Sequence, residues 1–317
     1  MISMPQISVI VPLLNKGPYI ERALDSVIAQ NFQDFEVIVI DGGSHDNGPD
    51  IVRDHEDSRI KFMQQIGKGV SAARNQAVNA CSSDLIAFLD ADDEWLPRHL
   101  EKIMELQKKY PKAGAYTTSY KIKEKNGHLR WAKYRAIPPS PWEGLIPNYF
   151  RSAALGEFPV WTSAVCIPKS IFLEMGGFVE DAWWGEDADL WGKIALTYPI
   201  AFSWEWGAIY HWDSEDRACN KPSLEQEPFI KTAKRALENK TIPDYMEIYL
   251  IEYIARKELY RAACNLYVGD IKRAREILKN TRTNRFFFQK ILLFIVATLP
   301  FTIGNFLLGI LFDLEAS

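Results

Sequence analysis

A chain of 317 residues can form one large domain or two modest ones with a substantial core. Its composition, 47% hydrophobic and 25% charged, is that of an ordinary globular protein without low-complexity tracts. The formal net charge of −4 gives no electrostatic reason to expect nucleic acid as a partner.

The cysteines are widely spaced and show no zinc-type pattern. We expect reduced, mostly buried thiols of a cytosolic protein at all four positions, Cys81, Cys166, Cys219 and Cys264. The first residues lead directly into a strand, so no signal peptide is expected.

The first hundred residues alternate strand and helix signals. The predicted strands cover 7–11, 35–40, 60–63 and 85–89, and the helices between them cover 19–28, 49–55 and 70–77. Pro12 is expected to end the first strand. This alternation predicts an α/β fold with a mostly parallel, Rossmann-like sheet flanked by helices.

After residue 112 the pattern loosens. A hairpin is predicted around Asn126-Gly127, an irregular wall over 136–161, and helices over 168–175, 186–196 and within 226–280. We therefore divide the chain into a domain over 1–220 and a helical extension over 221–285, followed by a hydrophobic tail over 286–317. Within the first domain, 1–111 would form one half and 112–220 the other.

The tail has no charged residue between positions 291 and 312. Basic residues precede this stretch and acidic residues follow it, as expected for a span with its N-terminal side in the cytoplasm. Pro300 and Gly304 interrupt it, which equally suits two short helices lying in the membrane interface. A buried helix pair is the third possibility. We expect membrane contact through 286–312, peripheral or single-span, at the inner face of the membrane.

Three carboxylates, Asp90, Asp92 and Asp93, follow the apolar strand over 85–89. They would lie at the carboxyl edge of the sheet, where open α/β folds bind ligands. Their mutual repulsion favours a hard cation such as Mg²⁺ or Mn²⁺, completed by phosphate oxygens. Acidic residues also suit a helix N-terminus, so a capping role stays open.

Five segments occur in one order: VIVPLLN over 9–15, VIDGGSHD over 39–46, GVSAARN over 69–75, DADD over 90–93 and GEDADLW over 185–191. In this combination the chain resembles the family 2 glycosyltransferases of the GT-A fold, over about residues 5–215. The resemblance implies an inverting enzyme that moves a sugar from a UDP-type donor to an acceptor hydroxyl with a divalent metal. It also implies a glycan or lipid-linked glycan as acceptor.

The resemblance places the nucleotide sugar on residues near the strand ends: Pro12, Asn15, Asp41, Arg74, Asn75 and Asp90. Asp41 would accept a hydrogen bond from the base, although it could instead cap the Gly42-Gly43 turn. Many relatives carry a second acidic residue where this chain has Gly42. Arg74 suits an oxygen-rich ligand, but could equally pair with a neighbouring carboxylate.

The resemblance also assigns the chemistry. Asp187 would be the general base and Glu186 would position the acceptor, whereas the same pair could simply complement a helix dipole. The metal would bind Asp92, with Asp93 and His211 as further ligands; a structural role for His211 stays open.

Three tryptophans near these segments, Trp161, Trp183 and Trp184, suit either a floor for a sugar ring or the core. Two other functions fit parts of the pattern. A sugar nucleotidyltransferase would need a glycine-rich loop after the first strand, and a non-catalytic scaffold would bind the donor without turnover.

Overall fold

The computed structural model describes residues 4–214 and 223–316. The chain divides into two compact units, one within Met1–Glu215 and the other within Asp216–Ser317. Cys219, predicted to be a buried thiol, lies outside the described residues.

The first unit is built on one mixed sheet. Its strands, within the described part of the chain, are Ile7–Leu13 (β1), Phe35–Asp41 (β2), Ile60–Gln64 (β3), Leu85–Phe88 (β4), Glu94–Trp95 (β5), Ala115–Lys123 (β6), Leu129–Trp131 (β7), Glu143–Leu145 (β8), Val165–Pro168 (β9) and Ile200–His211 (β10). Its α-helices are Gly17–Ile28 (α1), Gly48–Asp54 (α2), Gly69–Ala80 (α3), His99–Lys109 (α4), Tyr149–Leu155 (α5), Lys169–Glu174 (α6) and Glu186–Thr197 (α7).

The strands follow the order β3-β2-β1-β4-β9-β6-β10-β5, with β7 beside β6 and β8 beside β10. β3, β2, β1 and β4 are mutually parallel, and Val9 lies opposite Val37 on one side and Ala87 on the other. β1, β2 and β4 are mostly apolar and almost fully buried, as expected for strands covered by helices. The predicted α/β sheet with flanking helices is confirmed.

The prediction that the sheet is mostly parallel is correct for β3, β2, β1 and β4 and for the pair β6 and β10, but not for the strands between and beside them. β9 runs antiparallel to both β4 and β6, and β5 runs antiparallel to β10. β9 and β10 were not predicted as strands, and 136–161 contains β8 and α5 rather than only irregular chain. Pro12 does not end β1, because Leu13 still lies in register with Asp41 of β2.

The second unit is helical in the part that is described. Its helices are Pro228–Glu238 (α8), Asp244–Tyr267 (α9), Ile271–Asn280 (α10), Phe287–Val296 (α11) and Phe301–Ala316 (α12). Leu259 and Ala262 of α9 form a core with Leu278 of α10, Leu293 of α11 and Leu308 of α12. No helix found over 4–214 or 223–316 has the length and apolar character needed to cross a membrane.

The three cysteines within the described residues are reduced and buried. Burial raises the pKa of the Cys166 thiol well above its usual range and raises that of Cys264 as well. These thiols are packing groups, because a buried thiol resists the ionisation that reactivity requires.

Candidate functional site

The loops after β1 and β2 are tied together at the carboxyl edge of the sheet. Asn15 has a left-handed backbone (φ 51°). Its amide N–H donates to Ser44 Oγ at 2.9 Å, and its side-chain oxygen accepts from the His45 N–H at 2.8 Å. Pro12 lies in β1, just before this junction. Asn15 therefore shapes the edge where the nucleotide was predicted to bind, and the direct contacts predicted for Pro12 and Asn15 stay predictions.

Asp41 ends β2 with its carboxylate turned back on the following loop. It accepts from the N–H groups of Gly43 at 3.2 Å and Ser44 at 3.1 Å, and from Gln64 Nε2 at 3.0 Å. Burial alone would raise the pKa of Asp41, but the hydrogen bonds from Ser44 and Gln64 outweigh it and lower the pKa. Asp41 thus forms the turn cap that we considered as the alternative. An ionised carboxylate has lone pairs for a further donor, so recognition of a base stays a prediction.

The three carboxylates after β4 lie in three different environments. The Asp90 side chain is 31% exposed and pairs with Arg74, Asp92 is 16% exposed and pairs with Lys16, and Asp93 is buried. The sequence pattern alone could not distinguish these three environments.

Asp93 faces the protein interior. Its carboxylate accepts from Ser163 Oγ at 2.6 Å and from the His211 N–H at 3.1 Å. Burial, followed by the charges of Asp92 and Asp90, raises the pKa of Asp93 well above its usual range. Both oxygens are already engaged, so these contacts favour a structural role that joins the start of β9 to the end of β10. The metal-ligand role predicted for Asp93 has no support in this arrangement.

His211 ends β10 with both ring nitrogens facing carboxylates. Nε2 lies 3.2 Å from Glu94 and Nδ1 lies 3.2 Å from Asp213, whose carboxylate also pairs with Lys123. The imidazole is buried between these acids. A role as metal ligand would require one of these contacts to be given up, so the structural alternative fits His211 better.

Asp92 is the carboxylate best placed to hold a cation. Its Oδ2 lies 2.9 Å from Lys16 Nζ and accepts from Ser214 Oγ at 2.8 Å. Within the described side chains, no group of three or more His, Cys, Asp and Glu residues is arranged to hold a metal ion. Mg²⁺ and Mn²⁺, however, commonly bind one or two carboxylates together with substrate phosphates. Asp92, a single carboxylate that already attracts the Lys16 ammonium group, fits this mode of binding.

Arg74 connects Asp90 to Glu186, the neighbour of the predicted base Asp187. It is buried on α3, with Nη2 2.6 Å from Asp90 and Nη1 3.1 Å from Glu186 at the start of α7. Burial and the charge of Asp187 raise the pKa of Glu186 to about 7, against the opposing effect of Arg74. Arg74 is therefore the residue through which the two acidic motifs meet.

Asn75 is engaged with the segment that leads to α7. Its side chain donates to the Phe178 carbonyl at 2.8 Å and accepts from the Phe178 N–H at 3.0 Å. Gly177 (φ 68°) passes so close that an added Cβ would lie 2.8 Å from Asn75 Oδ1. Asn75 thus positions the chain before Glu186, and its predicted contact with the nucleotide stays a prediction.

Asp187 is partly exposed in the first turn of α7, after Gly185 (φ 76°). Asp189, two residues later, is buried and pairs with Lys193 at 2.6 Å, so it belongs to the helix rather than to the site. Of the tryptophans, Trp183 is 45% exposed just before Asp187, whereas Trp161 packs on Tyr120 and Tyr210. Trp183 is thus available to a ligand, and Trp161 is mainly a packing residue.

Comparison with known proteins agrees with this geometry. Residues 8–161 match the model of the glycosyl transferase family 2, and this range contains β1, Asp41, Arg74 and the three carboxylates. The matched region is a little under half of the chain, which is thus similar to the family 2 glycosyltransferases. Its mixed sheet with flanking helices is the GT-A fold.

Two relatives and one solved structure illustrate the similarity. Validoxylamine A glucosyltransferase from Streptomyces hygroscopicus subsp. jinggangensis is 30% identical over 64% of this chain and 55% of its own length. A Campylobacter jejuni GalNAc(5)-diNAcBac-PP-undecaprenol beta-1,3-glucosyltransferase is 34% identical over 60% of each chain. The crystal structure of S. aureus TarS 1–349 in complex with UDP-GlcNAc has a TM-score of 0.66 and 19% identity, covering 87% of this chain and 82% of that one. The chain thus spans little more than half the length of either glucosyltransferase.

Sequence reasoning missed three residues of this candidate site. Lys16 and Ser214 contact Asp92. Ser163 Oγ donates to the Asp93 carboxylate and accepts from the Asp90 N–H at 3.1 Å. Ser163 and Ser214 lie in segments without a motif, so no sequence signal identified them. Lys16 directly follows the VIVPLLN segment, and its position beside a predicted phosphate site was the one available signal.

Proposed function

We propose that this chain is an inverting glycosyltransferase that moves a sugar from a UDP-sugar to an acceptor hydroxyl in glycan biosynthesis. The observation that carries the proposal is the buried Arg74, which joins Asp90 on the donor side to Glu186 beside the predicted base. One cation thus holds a carboxylate of the donor side and the neighbour of the predicted general base, an arrangement that suits transfer between two bound substrates. The UDP-GlcNAc complex of TarS, which shares the fold, supports a UDP-sugar as donor.

In this proposal the residues divide the work. Asp41 accepts a hydrogen bond from the base, and Asp90 receives the ribose or sugar hydroxyls. Asp187 takes the proton of the acceptor hydroxyl on the face opposite the leaving diphosphate, which is what inversion requires. Glu186, held by Arg74, orients that hydroxyl. Asp92 would hold Mn²⁺ or Mg²⁺, which when bound supplies positive charge to the departing diphosphate.

We further propose a glycan or lipid-linked glycan as acceptor, met at the inner face of a membrane through residues 286–312. The lipid-linked acceptor named in the C. jejuni relative supports this choice. The exposed apolar side chains of α11, among them Phe288 at 84%, support the membrane contact.

A donor screen tests the transferase. The full chain, with Mn²⁺ or Mg²⁺, would be incubated with UDP-glucose, UDP-GlcNAc and other nucleotide sugars. The released nucleoside diphosphate would be measured. We expect one donor to be turned over, with a loss of about a hundredfold or more in Asp187→Asn. Asp181→Asn, an exposed residue six positions earlier, is the matched control and should keep its activity.

The same screen separates the alternative functions. Donor binding by calorimetry without turnover in the presence of a lipid-linked acceptor would indicate a scaffold protein. Release of inorganic pyrophosphate from a nucleoside triphosphate and a sugar phosphate would indicate a nucleotidyltransferase. Either result would overturn the proposal.

A further inference from the structure

The last two helices of the second unit each have one buried and one exposed apolar face. Leu293 and Val296 of α11 and Leu308 of α12 are at most 4% exposed and pack into the core built on α9. Other large apolar side chains of the two helices are half-exposed or more: Phe287 51%, Phe288 84%, Ile295 51%, Phe301 52%, Ile303 50% and Phe306 70%. Exposed apolar residues gathered in this way on consecutive helices indicate an interaction surface.

The chain next to this surface is strongly basic. Residues 271–290 contain seven Lys and Arg residues and a single acidic residue, Glu276. Most of these basic side chains are exposed on α10 and in the segment before α11, including Lys279, Arg282 and Arg285. The whole chain has a formal charge of −4, so the positive charge is concentrated beside the apolar face.

We propose that α11 and α12 form a docking face that lies in the plane of an anionic membrane surface, with the exposed phenylalanines inserted and the basic residues on lipid phosphates. This inference rests on the membrane contact in the proposed function and names its mode and its lipid chemistry. Helices of 10 and 16 residues are about 15 and 24 Å long at 1.5 Å per residue, shorter than a hydrocarbon core of about 30 Å. An apolar face flanked by Lys and Arg is the pattern of an interfacial helix.

Charge decides between a membrane and a second copy of the chain. A symmetric dimer through this face would bring two basic segments close together, and like charges would oppose it. An anionic lipid surface attracts the same residues, at roughly 1 kcal/mol for each Lys or Arg near the surface. The lipid surface is therefore the partner that satisfies both the apolar and the charged part of the face.

Vesicle co-sedimentation of the full chain, without sugar donor, tests the inference. We expect binding to phosphatidylglycerol–phosphatidylcholine vesicles and much weaker binding to phosphatidylcholine alone. Phe288→Glu and Phe306→Glu should each lower the bound fraction about tenfold, since each removes one inserted ring. Ile248→Glu makes the same change at a residue of α9 that is 57% exposed, and should bind like the wild type.

Equal binding of all three variants would overturn the proposal. So would a concentration-dependent dimer in sedimentation velocity that Phe288→Glu abolishes, because the face would then serve self-association. Circular dichroism of each variant confirms that the helices are intact. Release of nucleoside diphosphate from the sugar donor is measured separately in the absence of vesicles. Failure of membrane docking is therefore distinguishable from failure of the transferase.

Discussion

At the scale of single residues, Arg74 is the side chain on which the site depends most. Its guanidinium is buried and holds two carboxylates from distant parts of the sequence, Asp90 and Glu186. A buried cation that loses one partner is costly, so this triad fixes the position of Asp90 relative to Glu186. It also keeps Glu186 ionisable despite its burial.

Replacing Arg74 should change the pH dependence as well as the rate. Arg74→Met removes the charge that opposes burial, so the pKa of Glu186 should rise above about 7. If Glu186 must be ionised to orient the acceptor, the acidic limb of kcat/KM moves to higher pH by about one unit. The measurement is a pH–rate profile of both proteins. Arg53→Met, at a surface ion pair with Asp50, is the control; a uniform loss of rate without a shifted limb would contradict the role.

Lys16 should compete with the metal for Asp92. Its ammonium lies 2.9 Å from the Asp92 carboxylate, where a divalent ion would bind. Lys16→Met should therefore tighten Mn²⁺ binding in the absence of donor about threefold to tenfold, as the loss of a partly exposed ion pair allows. Electron paramagnetic resonance of free Mn²⁺ measures this directly, with Lys112→Met as an exposed control. Unchanged or weaker Mn²⁺ affinity would show that Lys16 serves the diphosphate instead.

At the scale of elements, one buried carboxylate links side chains and backbone of neighbouring parallel strands. Glu36 of β2 accepts from Ser8 of β1 at 2.6 Å, from Lys61 of β3 at 2.6 Å and from the Ser82 N–H before β4 at 2.8 Å. Burial alone would raise the pKa of Glu36, but the hydrogen bonds from Lys61, Ser8 and Ser82 lower it to about 2. The four parallel strands are therefore linked at this point by charge-assisted bonds.

Acid should remove this contribution. Because the pKa of Glu36 is lowered in the folded state, its stabilisation is present above an ordinary value of 4.5 and is lost as pH falls toward 2. Glu36→Gln should lower the free energy of unfolding by about 2–3 kcal/mol at pH 7, and the difference should vanish near pH 2. Urea unfolding at several pH values measures it, with the exposed Glu56→Gln as control. A pH-independent difference would mean that packing, not charge, is responsible.

The elements also show what the sequence can predict. β1, β2 and β4 were identified because strands buried on both faces are continuous apolar runs bounded by turns. β9 is four residues long, and only its last residue, Pro168, lay in a predicted element, the helix over 168–175; its residues Val165, Cys166 and Ile167 form too short an apolar run to indicate a strand. The long β10 contains polar and aromatic residues and register shifts around Trp206, which obscure a strand pattern. Short antiparallel insertions depend on tertiary pairing that a local pattern does not contain.

The same holds for the candidate site. The strand-end positions of Asp41 and the acidic triplet follow from the topology of a parallel sheet. Asp93 is buried and bonded to Ser163, whereas Asp92 is partly exposed and contacts Lys16 and Ser214. Both serines lie far from these carboxylates in sequence, so a local pattern does not contain this difference. Arg74 could be predicted as an ion-pair former, but not as the link between two motifs.

At the scale of the whole molecule, the charge distribution is uneven. A chain with a formal charge of −4 carries a segment, 271–290, with seven basic residues and one acidic residue. The attraction of such a segment to an anionic surface decays with distance over about one Debye length, which is about 10 Å at 0.1 M salt and about 3 Å at 1 M. Orientation toward a membrane would therefore be sensitive to salt.

Raising NaCl from about 0.05 to 0.5 M should release most of the protein from anionic vesicles, because the Debye length shortens about threefold. Arg282→Gln combined with Arg285→Gln should weaken binding at low salt and flatten the salt dependence, and Lys112→Gln is a control outside this segment. Vesicle flotation over a salt series provides the measurement. Binding that is indifferent to salt would mean that apolar insertion alone holds the protein.

The burial of Cys81, Cys166 and Cys264 makes the chain suited to site-selective labelling. Buried thiols are poorly accessible to maleimides, so in a Cys219→Ser background a newly introduced surface cysteine would be the preferred target. A fluorophore attached through Phe288→Cys or Ile248→Cys would sense two different surfaces of the second unit. The emission wavelength of each probe would then report which of the two surfaces passes from water into an apolar environment.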